Sequence, residues 1–322
     1  MKRDELAVFG ADEVRELLTY PDCIAIVREA MMALSRGETR QLLRTMIHMG
    51  EGRTFAQMPG ALSDEGMFGA KMISVFAQAD NPGVRRHRGL VTMFEPEEGR
   101  PVCVADAEEI THIRTAAATA VATAELARKD AGVLLLLGTG GQVHSHLAAL
   151  PLVRDFTRIL IWGRLSERAA AVVEAWQDRL PVEVAGDAEA ACAHADVICT
   201  LTGARTPILL GDWVRPGTHV NVVGSSGPGP VEIDNALVAR SRYIADSRAS
   251  ALDAAAEFLV AREAGVVTDA HIVGEIGEVL LGRIAGREND EQITLYKSLG
   301  HAVQDLAAAA HIHAKHQARN TR

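Results

Sequence analysis

The rhythm of apolar positions changes partway along this chain, and the change separates two kinds of structure. Ala11 to Leu18 and Asp22 to Leu34 carry apolar residues at helical spacing. Strand-like stretches follow at Arg44 to Met49, Thr54 to Met58, Gly66 to Phe76, Gly89 to Phe94 and Pro101 to Val104, several of them separated by turns such as Asn81-Pro82-Gly83. Ala107 to Arg128 reads as an alanine- and threonine-rich helix whose small side chains suit close packing. Strands and helices then alternate, with strands at Val133–Leu137, Ile159–Trp162, Val182–Val184, Val197–Thr200, His219–Val223 and Tyr243–Ala245. That alternation predicts a doubly wound parallel sheet. The tail, Ser298 to His316, reads as a long helix.

Val133 to Leu137 is an uninterrupted apolar run, as expected of a strand buried on both faces. Directly after it come Gly138, Thr139, Gly140, Gly141 and Gln142, with Val143 where a third glycine or alanine often sits, then a periodic stretch through Leu147 and Leu150. Glycines make the tight turn and let backbone approach a pyrophosphate, which the N–H groups and positive end of the next helix attract. In this strand–turn–helix context the glycines point to a Rossmann-type dinucleotide site. The fold expected is therefore α/β, a Rossmann-type doubly wound parallel sheet plus an α+β domain.

The next strand ends at Trp162-Gly163-Arg164, where such a site recognises the adenosine ribose. An NAD site usually places Asp or Glu there, whereas this chain has Gly163, then Arg164, with Arg168 one helical turn on. Guanidinium groups pair with a 2′-phosphate that a carboxylate would repel. NADP(H) is the expected cofactor, with NAD(H) as the alternative, and Gly163→Asp with Arg164→Ala should reverse the preference. Two later loops at the carboxyl edge of the sheet add Thr200, Leu201, Thr202, Val223, Gly224 and Ser226 as candidate cofactor contacts.

In the first part of the chain Lys71 interrupts an apolar strand pattern. It is either an edge lysine reaching solvent or a pocket lysine whose burial depresses its pKa. Arg44, opening a strand, and Arg114, near the start of the alanine-rich helix, suit surface charges equally well. Facing one pocket, however, the three would suit a carboxylate substrate. His311, His313 and His316 do not read as a metal site, since only the last two share a helical face and no acidic or Cys ligand stands beside them. That segment is expected to be solvated. His144 and His146 cannot share a face and read as surface or packing residues.

With 322 residues, 48% of them hydrophobic, the chain can bury a large core in two domains. A net charge of −9 gives no electrostatic footprint for nucleic acid or an anionic membrane. No apolar run is long enough to span a bilayer, and Met1-Lys2-Arg3-Asp4-Glu5 lacks a signal-peptide hydrophobic region. Cys23, Cys103, Cys192 and Cys199 are scattered and read as reduced thiols of a cytoplasmic protein.

The spaced set Arg44, Met58-Pro59, Gly69-Ala70-Lys71, Arg114-Thr115-Ala116-Ala117, Gly138-Thr139-Gly140, Asp196 to Thr200, Trp213 to Asn221, Glu232-Ile233-Asp234, Asp246-Ser247-Arg248 and Lys297 to Gly300 resembles the ornithine cyclodeaminase/mu-crystallin family over almost the whole chain. The resemblance implies a homodimer with a substrate-binding and dimerisation domain at 1–113 with 300–322, and an NAD(P)-binding domain at 114–299. It implies that Arg44, Met58, Lys71 and Arg114 bind a small imino or amino carboxylate, and that Thr115 joins the cofactor contacts. Cyclodeaminases and alanine dehydrogenases of the family carry an aspartate where this chain has Ser226, whereas mu-crystallin-like ketimine reductases have serine. A serine hydroxyl is a poor general base at neutral pH. The resemblance thus implies NADPH-dependent reduction of a C=N bond beside a carboxylate, with Lys71 and Ser226 as catalytic candidates. The alternatives are an NAD-recycling, ammonia-releasing cyclodeaminase, an amino-acid dehydrogenase, and a non-enzymatic protein binding NADPH and a small carboxylate. The basic run Arg85-Arg86-His87-Arg88 is either solvated or suited to a second acidic group on the substrate.

Overall fold

A computed structural model describes residues 6–77, 85–227 and 229–321; the Asn81-Pro82-Gly83 turn, Pro228 and the side chains of Ala77, Arg85 and Arg86 lie outside the described part. The chain divides into one unit formed by 1–114 with 301–322 and a second formed by 115–300.

The first unit opens with β1 (Ala7–Phe9), α1 (Ala11–Leu17) and α2 (Tyr20–Arg36), followed by β2 (Arg40–Gln41), β3 (Thr45–His48), β4 (Thr54–Ala61), β5 (Phe68–Ala77), β6 (Arg85–Phe94) and β7 (Pro101–Asp106). The strands lie in the order β1-β7-β6-β5-β4-β2, with β3 also paired to β4. The neighbours from β4 to β7 are antiparallel, while β1 adds to β7 in parallel. Three residues are too few to display a period, so β1 had no readable signal. α2 starts earlier than its apolar pattern, because Pro21 is tolerated in a first turn and Thr19 accepts a hydrogen bond from the Asp22 N–H at 3.4 Å. It stops at Gly37, whose φ of 74° is left-handed.

α3 (Ala107–Leu126) carries the chain into the second unit, whose strands and helices alternate: β8 (Val133–Leu137), α4 (Gly141–Ala149), β9 (Arg158–Trp162), α5 (Ser166–Trp176), β10 (Val182–Val184), α6 (Ala188–Cys192), β11 (Val197–Thr200), β12 (His219–Val222), α7 (Asn235–Arg240), β13 (Arg242–Ala245), α8 (Arg248–Ala254), α9 (Ala256–Glu263), β14 (Ile272–Glu275), α10 (Ile276–Leu280) and β15 (Thr294–Lys297). The sheet order is β10-β9-β8-β11-β12-β15-β13-β14, with every described pairing parallel. This is a Rossmann-type doubly wound sheet, and the strand order reverses between β8 and β11.

α11 (Ala302–Asn320) returns to the first unit and packs on α2 and on the sheet from β4 to β7. It begins later than the Ser298 expected from its pattern. Residues up to Lys297 belong to β15, and the N–H groups of Leu299 and Gly300 donate to the buried Asp246 carboxylate at 2.5 and 2.8 Å.

Candidate active site

β5 is an inner strand with β4 and β6 on either side, so Lys71 has no edge from which to reach solvent. It is 2% exposed, in register with Met58 and Val91, both also buried. Its Nζ donates to Asp305 Oδ1 at 2.8 Å and to Thr111 Oγ1 at 2.5 Å. Arg114 lies two turns into α3 rather than at its start, and is buried. Its Nε donates to the same Asp305 Oδ1 at 3.2 Å, and its Nη1 to Gln304 Oε1 at 3.2 Å. Arg44 sits half-buried just before β3 and adds positive potential at Lys71. Lys71 and Arg114 thus share one bonded carboxylate, leaving this pair with a net positive charge. Burial pushes the Lys71 amine down to about 8, against the pull of Asp305 and with the help of Arg114 and Arg44. Burial would raise the Asp305 carboxyl, but Arg114 and Lys71 outweigh it and hold it below the usual range.

Gln304 and Asp305 escaped sequence reading inside an alanine-rich helix. Their signal was positional: two polar residues within the buried stripe of Ala302, Val303, Leu306 and Ala309.

In the second unit Gly138 has φ 142°, and a side chain there would put Cβ 2.8 Å from the Leu201 carbonyl oxygen. Its N–H donates to the Trp162 carbonyl at 2.8 Å. Gly140 is the N-cap of α4 in extended conformation, with open space where a Cβ would be; Gly141 and Gln142 start the helix and Val143 is fully buried. An open helix N-terminus behind a left-handed glycine fits a pyrophosphate. Arg164 and Arg168 are exposed and make no ion pair with any described residue. At Gly163 a Cβ would lie 2.5 Å from the Thr139 methyl, so the proposed Gly163→Asp change collides with Thr139. Gly163→Asp with Arg164→Ala therefore does not suffice to reverse the preference unless Thr139 is also made smaller.

The loops after β11 and β12 are tied together by a residue not singled out as functional, Glu232, fully buried. It accepts from Thr200 Oγ1 at 2.8 Å, from the N–H and hydroxyl of Thr202 at 2.7 Å each, and from the N–H groups of Gly224 at 2.8 Å and Ser225 at 3.2 Å. The Thr200 and Thr202 hydroxyl hydrogens are therefore committed to Glu232 rather than offered outward. Burial pushes this carboxyl above its usual range, and the Thr202 donors partly offset that. Beneath the second loop, Ser225 bonds Glu257, and buried Lys297 donates to Ser225 O at 2.5 Å and Oγ at 2.6 Å and pairs with Glu257 at 2.9 Å. Val223 is buried, whereas Ser226 is exposed.

Other reactive residue types sort away from these two places. All four thiols are buried, and burial pushes each up to about 12, which keeps them protonated. His146 is buried between Thr119 and the Gln142 carbonyl, while exposed His144 accepts from Trp176 Nε1 at 2.9 Å. His311, His313 and His316 are partly buried rather than solvated. Among the described residues no group of His, Cys, Asp or Glu could hold a metal ion, and no helix is long and apolar enough to cross a membrane.

The model of the ornithine cyclodeaminase/mu-crystallin family matches residues 5–320. The chain is 34% identical over 308 residues to ketimine reductase mu-crystallin of Mus musculus, covering 94% of this chain and 95% of that protein. It shares its fold with Thermococcus litoralis Delta(1)-pyrroline-2-carboxylate reductase in complex with NADH and L-proline, at a TM-score of 0.93, 28% identity and 98% coverage of each chain. An archaeal alanine dehydrogenase dimer with bound NAD matches with a TM-score of 0.92 at 30% identity, covering 98% of this chain and 97% of that one. Agreement in sequence and in fold over nearly the full length leads to one conclusion: the chain belongs to the ornithine cyclodeaminase/mu-crystallin family.

Proposed function

We propose that this protein is an oxidoreductase that uses NADPH to reduce a C=N bond next to a carboxylate, turning a cyclic or linear 2-imino acid into the amino acid. The observation that carries this reading is the pair of buried cations Lys71 and Arg114 on a single bonded carboxylate, Asp305, with the positive potential of Arg44 felt at Lys71. A buried excess of cations is costly unless an anion completes it, and a substrate carboxylate is that anion. Arg44 and Arg114 hold it, with Met58 beside Lys71 giving the site an apolar wall. Lys71, titrating near 8, is charged at neutral pH yet releases its proton readily, which suits donation to the substrate nitrogen. The Gly138–Gly140 turn and the N-terminus of α4 would hold the pyrophosphate of a nicotinamide dinucleotide, whose reduced form would supply hydride. The names of the relatives, a ketimine reductase and a pyrroline-2-carboxylate reductase, support the same class.

Two finer points belong to the reading. Relatives hold NADH or NAD in their structures, but here Gly163 with exposed Arg164 and Arg168 favours the 2′-phosphate of NADPH. Thr115, Thr139 and the loops carrying Leu201, Val223 and Ser226 complete the proposed cofactor contacts. Ser226, in place of a carboxylate, favours net reduction over cyclodeamination. A second copy of the chain is the proposed partner of the first unit, supported by the apolar, exposed Met46 and Ile47 on β3 with Leu42, Leu43 and Met49 around them.

The deciding experiment is a steady-state assay with pyrroline-2-carboxylate and piperideine-2-carboxylate. Stoichiometric NADPH consumption and formation of the cyclic amino acid are expected. Turnover of ornithine to proline and ammonia without net cofactor consumption would replace this reading with cyclodeamination. No oxidation across a panel of imino acids, together with a melting temperature raised by NADPH and small carboxylates, would leave a binding protein.

A further inference from the structure

We propose that Asp305 is the positioning residue of this site: a single carboxylate, brought by the C-terminal helix, fixes where Lys71 and Arg114 stand and keeps the Lys71 amine charged. The inference rests on the reading of Lys71 as the proton donor and adds a residue to it.

The geometry is that of a shared anchor. Asp305 Oδ1 accepts from Lys71 Nζ at 2.8 Å and from Arg114 Nε at 3.2 Å, and the three side chains are 0%, 3% and 6% exposed. The other oxygen, Oδ2, is buried with no hydrogen-bond partner among the described residues. A carboxylate kept for stability alone would have both oxygens satisfied, or would be replaced by an apolar side chain at no loss. Here the fold tolerates an unsatisfied buried oxygen to keep one negative charge beside two cations.

The groups facing the Lys71 amine come from three elements. Arg114 and Thr111 approach from α3, Arg44 from the segment before β3, and Asp305 from α11. Thr111 donates its hydroxyl hydrogen to the Ala107 carbonyl at 2.5 Å, so it accepts from Lys71 whether the amine is charged or neutral. Cys23, from α2, feels both Arg114 and Asp305, but its thiol stays protonated. Burial, Arg114 and Arg44 all drive the amine towards neutrality, and Asp305 is the group opposing them. Without it the amine would hold its proton less tightly.

The chain has five lysines, Lys2, Lys71, Lys129, Lys297 and Lys315, so lysine labelled with 13C at Cε gives few signals, and Lys71→Arg identifies the one for Lys71. In the wild type that signal should titrate near pH 8. In Asp305→Asn it should titrate lower by about one unit or more, and in Asp305→Glu, which keeps the charge, it should stay within about half a unit of wild type. The alkaline limb of kcat/KM for imine reduction should move with it in each variant. An unmoved Lys71 titration in Asp305→Asn, with activity reduced equally at every pH, overturns the proposal. If Asp305→Asn does not fold, the wild type decides: an amine already neutral at pH 7 overturns it and a charged one supports it. A wild type whose Lys71 titrates as expected but which reduces no imino acid refutes the functional reading and leaves the hold of Asp305 on Lys71 standing.

Discussion

Replacing Lys71 by Met keeps an unbranched apolar stem between Met58 and Val91 while removing the amine. On the proposed chemistry kcat falls about 10²–10⁴-fold, the range for losing a general acid, with a smaller change in KM because Arg44 and Arg114 remain. A kcat within a few-fold of wild type in a stopped-flow assay would remove Lys71 from the chemistry. Cofactor choice is a second matter of single residues. A charge-assisted pair to the 2′-phosphate is worth about 1.5–3 kcal/mol, so NADPH should bind at least about tenfold more tightly than NADH. Reversal needs Thr139→Ala together with Gly163→Asp and Arg164→Ala, since the new Cβ at 163 lies 2.5 Å from the Thr139 methyl but 3.6 Å from its Cβ. Titration of nicotinamide fluorescence measures both, and equal affinities in the wild type would end this account of Gly163. At this scale the glycines were legible because they break a pattern, while Asp305 was not. Its importance lies in Lys71, 234 positions away, and no local pattern encodes that.

Elements are where Glu232 acts. Its carboxylate joins the loop after β11 to the loop after β12 through five donors. Glu232→Gln would turn an amide N–H₂ towards some of those donors, leaving buried groups unsatisfied at about 1–3 kcal/mol each. The expected outcome is a melting temperature lower by several degrees and a weaker NADPH Kd, with the anion affinity of the Lys71 cluster unchanged. Calorimetry with both ligands checks this, and an unaltered NADPH Kd would mean the loops do not need their tie. Legibility at this scale depended on length. The apolar run of β8 and the helical period of α2 were readable, but β15, four residues ending in a lysine, was not. β15 is nevertheless fully buried between β12 and β13, with Lys297 neutralised by Glu257 from α9.

For the molecule as a whole, two fully buried imidazoles set an acid limit. Burial pushes His146 down to about 4, and burial with help from Arg287 pushes His219 down to about 3. Both fall below the unfolded value of about 6.5, so the unfolded chain takes up these protons first. Their contribution is complete above about pH 6.5 and is lost as pH falls towards 4 and then 3. The slope reaches roughly 3 kcal/mol per pH unit while both differ. Denaturant melts at pH 7, 6 and 5 should show stability falling, and His219→Asn should flatten the fall. A flat profile would mean these side chains are not neutral and buried in solution.

The alternation of strand and helix, the glycine turn and the missing carboxylate at Gly163 were determined by the sequence alone, because each is a local pattern or a residue type at a set spacing, whereas Arg44, Lys71 and Arg114 stood out from ordinary surface charges only through the family resemblance. The sequence also carried motif residues whose work proved to be structural. Asp196 accepts from Arg128 and from the Gly132 and Val133 N–H groups, and Asp234 caps α7 through the Leu237 N–H. Whether Lys71 was an edge charge or a buried amine, where β15 enters its sheet, and which carboxylate holds Lys71 and Arg114 were decided only by tertiary structure. Each of these depends on burial and on partners distant in the chain, and an ordinary lysine, glutamate or aspartate becomes a group with altered chemistry only once the fold has closed around it and set its charged neighbours beside it.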